Sequence, residues 1–176
     1  PELADFMDFM AITGMRLVEA VESYNLIIAL TRKGRLDEYY KPDGPIGILE
    51  HYRFKDTFIR KTKKCFISFV PNELIDRICN ADPVPSENGI IKLLQRSNIK
   101  LRFGDIRETH ATFMTKHLQQ PEIDFIHGRV STNVFMRNYF NPALIADLKA
   151  RAFQGIKEIQ GKITSDYTNI RGTLDK

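Results

Sequence analysis

The chain has 176 residues, 43% of them hydrophobic and 27% charged, which is the composition of a globular domain with a buried core. No apolar segment approaches the roughly 20 residues of a membrane-spanning helix, so we expect no membrane span. The net charge of +4 is compatible with a polyanionic partner without identifying one. Cys65 and Cys79 have neither CxxC nor zinc-site spacing, and we expect two reduced thiols.

The first 47 residues predict two helices followed by a loop. Apolar residues spaced by three and four positions indicate one helix over 1–12 and another over 15–30. Thr13 and Gly14 separate the two. The segment 31–47 is rich in glycine, proline and charge, and it predicts an exposed loop.

A β-hairpin is predicted next. Segments 48–54 and 64–70 have the β-branched and aromatic content of strands. The basic segment 55–63 joins them. We expect a long hairpin that contains the β structure of the chain.

The remaining sequence predicts helices over 72–78, 90–96 and 105–117, and a short helix from Pro121. Asn141 and Pro142 have the pattern of an N-cap followed by proline in the first turn, and predict a last helix to about Ile159. The predicted fold is α+β and mainly helical, with a small antiparallel hairpin or sheet. The predicted domain covers 1–160, and 161–176 is expected to form a polar, mobile tail.

Three arginines and a tyrosine are the candidate functional residues. Arg16 and Arg107 each stand at a predicted helix start, where a positive charge opposes the helix dipole, and a bound anion would explain both positions. Arg129 follows Gly128 and precedes Tyr139 by ten residues. Clustered guanidiniums favour a tyrosine phenolate and the phosphorane that forms when it attacks a phosphodiester. The residues alone also allow solvated arginines and a tyrosine in the core.

Three segments, in order, resemble the sequence boxes of the tyrosine recombinases, the family of phage-type integrases and Xer-type resolvases. Segment 13–20, TGMRLVEA, is similar to the first arginine box, TG(L/M)RxxE(L/A). Segment 105–112, DIRETHAT, is similar to the second box, DLRHTFAT. Segment 123–139 resembles the third, IxxxLGH followed ten residues later by the tyrosine. The resemblance spans about 1–159 and implies the catalytic-domain fold of this family.

This resemblance implies site-specific DNA recombination or integration. Tyr139 would attack the scissile phosphate to form a 3′-phosphotyrosyl link, and Arg16 and Arg107 would hold the non-bridging oxygens. Arg129 would add a third contact to the transition state. No metal or cofactor is implied. The expected partners are double-stranded DNA attachment sites and further copies of the chain in a tetramer, with a cytoplasmic, nucleoid-associated location.

A lysine in the turn between the family's second and third strands would protonate the leaving 5′-oxygen. Lys55, at the end of the first predicted hairpin strand, is the first choice, and Lys63 and Lys64 are alternatives. Other basic residues of the hairpin are expected to contact DNA phosphates. The expected DNA-binding set is Arg53, Arg60, Lys61, Lys63 and Lys64.

The chain also departs from the family pattern. Gly104 stands three residues before Arg107, where the family has histidine or lysine, and His110 replaces a buried aromatic residue. Arg129 takes a place where histidine or tryptophan is common, which is similar to the integrases of archaeal viruses and plasmids. Two alternatives follow: a DNA-binding module that has lost strand transfer, and a type IB topoisomerase-like enzyme that relaxes supercoiled DNA.

Overall fold

The computed structural model describes residues 3–139 and 141–174, without the side chains of 138–139 and 167–174. This part of the chain is mainly helical and contains one three-stranded antiparallel sheet, which confirms the predicted α+β class. The helices are α1 (Ala4–Thr13), α2 (Leu17–Arg32), α3 (Lys55–Phe58), α4 (Asn72–Cys79), α5 (Glu87–Arg96), α6 (Phe103–Met114), α7 (Gln120–Ile126), α8 (Thr132–Val134) and α9 (Pro142–Leu174). The strands are β1 (Tyr40–Lys41), β2 (Ile46–Leu49) and β3 (Ser68–Pro71).

Helix α1 lies at the centre of the fold and packs against α2, α4, α6, α9 and β3. Its side chains Phe6, Phe9 and Met10 are fully buried. It ends at Gly14, which adopts the left-handed conformation (φ 62°) and donates its N–H to the Met10 carbonyl at 3.0 Å. The predicted break between two helices is therefore confirmed, and it lies at the end of a central core helix.

The sheet differs from the predicted long hairpin. β2 pairs antiparallel with β3, from Ile46 opposite Pro71 to Leu49 opposite Ser68. The chain then leaves the sheet, because a 3₁₀ helix (His51–Arg53) replaces the rest of the first predicted strand, and α3 occupies part of the predicted joining segment 55–63. His51 and Phe58 in this excursion are completely buried, so it is part of the core rather than an exposed turn.

The predicted exposed loop 31–47 also contains structure. Tyr39 and Tyr40 are buried, and β1 adds to the edge of the sheet beside β2. The Tyr40 hydroxyl group bonds to the Asn72 side chain at 2.5 Å. Two aromatic side chains that bury most of their surface outweigh the loop-forming tendency of the surrounding glycines and prolines.

The last helix begins as predicted, since the Asn141 side chain accepts the N–H of Ala143 at 3.0 Å ahead of Pro142. Leu148, Ala152 and further apolar residues to Ile159 pack in the core. The helix continues beyond Ile159 to Leu174. The boundary predicted at residue 160 thus falls within a helix, and residues 175–176 of the predicted tail lie outside the described part.

None of the helices among the described residues is both long enough and apolar enough to span a membrane.

Candidate functional site

Two glycine turns bring four distant segments together. A Cβ atom on Gly14 would lie 2.5 Å from His110 Nδ1 and 2.7 Å from His127 Nε2. A Cβ atom on Gly128, where φ is 63°, would lie 1.7 Å from the Lys64 carbonyl oxygen. No side chain fits at either position, so these glycines allow the α1–α2 turn, α6, the end of α7 and the segment before β3 to approach closely.

The three predicted arginines all border this junction. Arg16 Nη1 donates to the Lys64 carbonyl at 3.4 Å, and Arg107 Nη2 donates to the His127 carbonyl at 2.5 Å. Arg129 directly follows the Gly128 turn and pairs with Asp124 at 3.1 Å. Three segments, separated by up to 113 positions in the sequence, therefore place an arginine each at this junction.

Electrostatics show that the three guanidiniums are close enough to interact. Burial, and then the charges of Arg16 and Arg129, lower the pKa of Arg107 to about 10. Positive charges that lower the pKa of a neighbour also create a strongly positive potential. This arrangement favours binding of an anion, which would relieve the repulsion between the arginines.

Glu19 is the buried acid of the site, and sequence reasoning assigned it no role. Its side chain is 2% exposed, and its Oε1 lies 3.7 Å from Arg16 Nη1. The same oxygen accepts a hydrogen bond from Arg60 Nη2, from the segment before β3. The spacing of three between Arg16 and Glu19 on α2 was visible in the sequence, whereas the contact with Arg60, 41 positions away, was not.

Three buried side-chain atoms without a hydrogen-bond partner among the described residues belong to this site. They are Glu19 Oε2, Arg60 Nε and His127 Nδ1. Buried polar atoms are nearly always paired, so unpaired atoms mark a strained or functional place. Their concentration here supports the junction as the functional site.

A histidine pair lies beneath the arginines. His110 Nδ1 and His127 Nε2 are 2.9 Å apart, and both side chains are buried. Burial is the main cause that lowers the pKa of His110 to about 4 and that of His127 to about 2. Both rings are therefore neutral near pH 7 and share one N–H···N hydrogen bond. His110 lies in the core, as expected from the sequence.

The candidate lysines are placed differently from the prediction. Lys55 is exposed and begins α3, so it does not lie at the end of a hairpin strand. The tight turn is instead at 60–63, where the Arg60 N–H bonds to the Lys63 carbonyl at 3.0 Å. Lys64 follows this turn, and its carbonyl touches both Arg16 and Gly128.

The predicted DNA-binding residues divide into two groups. Arg53 pairs with Glu50 and Arg60 with Glu19, so both guanidiniums are engaged within the protein. The side chains of Lys61 and Lys63 are exposed, and that of Lys64 is half-buried.

Tyr139 ends one turn of π-helix, Phe135–Tyr139, and its side chain lies outside the described residues. The start of this turn is fixed by Phe135, which is buried and stacks on Phe66 at a centroid distance of 4.5 Å. Phe66 follows Lys64 by two residues. The turn that ends at Tyr139 is thus held against the segment that contacts Arg16.

Gly104, in the first turn of α6, is exposed, and a Cβ atom there would meet nothing within 4 Å. The position is therefore open to a side chain. In the described part of the chain, no three histidine, cysteine or carboxylate side chains come together as metal ligands.

Comparisons of the chain with protein-family models, with curated proteins and with solved structures found no match.

Proposed function

We propose that this protein cleaves and rejoins DNA strands as a site-specific recombinase of the tyrosine recombinase family. The observation that carries the proposal is the convergence of Arg16, Arg107 and Arg129, which come from the three segments that resemble that family's boxes. A phosphodiester is the anion whose oxygens suit several guanidinium groups at once.

In the proposed reaction, Arg16 and Arg107 bind the non-bridging oxygens of the scissile phosphate. The Tyr139 hydroxyl gives its proton to water, its oxygen forms a bond to phosphorus, and the bond from phosphorus to the 5′-oxygen breaks. Arg129 supports the charge of the phosphorane, as preorganised cations do in other phosphoryl transfers. The 5′-hydroxyl of a second strand reverses the step and releases Tyr139, so the phosphate bond is conserved.

The leaving 5′-oxygen needs a proton, and the turn 60–63 with Lys64 is the best source. The Lys64 backbone touches Arg16, whereas Lys55 starts a separate helix. We therefore favour Lys61, Lys63 or Lys64 over Lys55 as the general acid.

The proposed partners are double-stranded DNA attachment sites and further copies of this chain, as a tetramer on DNA in the nucleoid. Arg129 in the third box favours an integrase of the type that archaeal viruses and plasmids encode. The type IB topoisomerase-like alternative uses the same tyrosine chemistry on a single DNA site. Relaxation of one supercoiled plasmid in the absence of a second site would favour it.

One observation favours a second candidate, a DNA-binding module without strand transfer. Gly104 offers no side chain where the family has a histidine or lysine, and the space next to it is open. Such a module would bind DNA in a salt-dependent way through the same cations, but would form no covalent intermediate.

Covalent trapping tests the proposal. The substrate is a pool of DNA duplexes with randomised sequence around a nick, placed so that the short cleaved product diffuses away and religation is blocked. We expect a protein–DNA adduct on a denaturing gel that disappears with Tyr139→Phe. Tyr52→Phe is the matched control, since it loses a hydroxyl bonded to Glu50 and should keep the adduct.

The two candidates predict opposite results. An adduct that needs Tyr139 supports strand transfer. Binding of the same pool without any adduct would reject the recombinase and support the DNA-binding module.

A further inference from the structure

The turn 60–63 is tied to the rest of the protein at its base. The backbone bonds from Arg60 to Lys63 and from Cys65 to Phe58 close it, and Ile59 pairs with Lys64 as an isolated antiparallel bridge. Lys61 and Lys63 are exposed on this turn. The Arg60 side chain runs in the opposite direction, towards the protein interior.

The inward direction of Arg60 ends at a buried carboxylate. Arg60 Nη2 donates to Glu19 Oε1, and the same oxygen lies 3.7 Å from Arg16 Nη1. One carboxylate oxygen thus joins the lysine-bearing turn to an arginine of the proposed phosphate site. A buried carboxylate needs such partners, because leaving it unpaired is strongly unfavourable.

The Glu19–Arg60 pair also has unused bonding capacity. Glu19 Oε2 and Arg60 Nε are both buried, and neither has a hydrogen-bond partner in the described part of the chain. If a phosphate draws Arg16 towards its oxygens, the hydrogen bond from Arg60 Nη2 still keeps Glu19 paired. The turn then stays in place while Arg16 binds substrate.

We infer that Arg60 is a positioning residue, which holds the lysine-bearing turn 60–63 at the phosphate site through the shared carboxylate of Glu19. This inference rests on the proposed function. Arg60 then acts on protonation of the leaving 5′-oxygen rather than on DNA binding, although the sequence alone predicts a DNA contact for it. The proton passes from the lysine ammonium to the 5′-oxygen as the bond to phosphorus breaks.

A sulfur substitution separates this role from a general structural one. A 5′-bridging phosphorothioate leaves as a thiolate, which does not need a proton from the protein. We expect Arg60→Ala to slow single-turnover cleavage of the normal substrate by about 10- to 100-fold, the size of effect that follows from misplacing a general acid. Cleavage of the sulfur substrate should change less than about 3-fold, and Arg60→Lys should recover part of the loss.

Arg53→Ala is the matched control, because Arg53 belongs to the same excursion and pairs with Glu50 rather than Glu19. This variant should leave unchanged the ratio of the cleavage rates for the normal and the sulfur-substituted DNA. Arg60→Met keeps a side chain of similar length and leaves Arg16 as the partner of Glu19, and it replaces Arg60→Ala if that variant fails to fold. It should show the same selective loss on the normal substrate.

Each other outcome overturns the inference. Equal slowing of both substrates would mean that Arg60 only maintains the fold. Weaker DNA binding with unchanged cleavage at saturating DNA would mean a phosphate contact. If the wild-type protein cleaves neither substrate, the proposed function fails and the inference with it, whereas wild-type cleavage with unaffected variants rejects the inference alone.

Discussion

Replacing Arg107 by glutamine tests whether the arginine junction is an anion site. The fall in the pKa of Arg107 from 12.5 to about 10 corresponds to about 3 kcal/mol against its charged form, at about 1.4 kcal/mol per pKa unit. Arg107 is only partly buried, so solvent screening reduces this to about 2 kcal/mol. Loss of the hydrogen bond to the His127 carbonyl costs about 1 kcal/mol.

Removing the charge of Arg107 should gain about 2 kcal/mol, and losing its hydrogen bond should cost about 1 kcal/mol. Arg107→Gln should therefore stabilise the anion-free protein by about 1 kcal/mol. For a chain of this size the melting temperature should rise by about 2–4 °C. This direction is unusual, since most substitutions of a partly buried, hydrogen-bonded residue destabilise. Removal of a charge stabilises a protein when the fold buries that charge and holds it next to other charges of the same sign, as here.

In sulfate, the wild-type protein should become more stable than Arg107→Gln, the reverse of their order in chloride. If the wild-type site binds sulfate with a dissociation constant of about 1 mM, about 50 mM sulfate adds about 2 kcal/mol of stability. The variant should gain less, because one of the three guanidiniums is missing. Thermal unfolding followed by circular dichroism, in sodium sulfate and in sodium chloride of equal ionic strength, measures both effects.

Arg102→Gln supplies the control for general effects of sulfate on proteins. Arg102 is also at the start of α6, but its side chain is 86% exposed and pairs only loosely with Asp105 at 3.6 Å. Its sulfate response should equal that of the wild type. An Arg107→Gln variant that is less stable in chloride, and that gains as much stability from sulfate as the wild type and Arg102→Gln, would show that the three arginines do not form an anion site.

Three further predictions follow from the packing. Gly128→Ala should destabilise by more than about 3 kcal/mol, since its Cβ would collide with a backbone carbonyl, whereas Gly44→Ala, with similar φ but open surroundings, should cost about 1 kcal/mol; urea unfolding of both variants checks this. Burial lowers the pKa of His51 to about 3, of His110 to about 4 and of His127 to about 2, so the free energy of unfolding is highest above pH 6.5 and decreases as the pH falls. At about 2 kcal/mol for each group, these three histidines should lower the free energy of unfolding by about 6 kcal/mol between pH 7 and pH 5, and a pH-independent value would contradict the assignment. Gly104→His should leave the melting temperature within about 2 °C of the wild type, because nothing lies near the new side chain. It should also raise the yield of the DNA adduct if the missing side chain limits strand transfer. A large loss of stability would show that the position is not open.

Local signals fixed several features from the sequence. The Gly14 break and the cap at Asn141 depend on neighbours within a few residues, and the structure confirms both. The three arginines were identified from the sequence segments that contain them. Arg16 stands at the start of α2 as predicted, whereas Arg107 lies in the second turn of α6 and Arg129 follows the Gly128 turn. Gly14 and Gly128 both adopt the left-handed conformation, which glycine allows most readily, and their missing side chains let neighbouring segments pack closely against them.

Local sequence patterns therefore predicted the helical framework and the charged candidate residues. Contacts between distant segments, by contrast, replaced the end of the first predicted hairpin strand with a 3₁₀ helix, joined Arg16 to Arg60 through Glu19, and placed the His110–His127 pair next to the arginines. The physical reason is that local patterns set backbone conformation over one or two turns. Pairing of buried charges depends instead on which distant segments share the core, and residue spacing does not encode that.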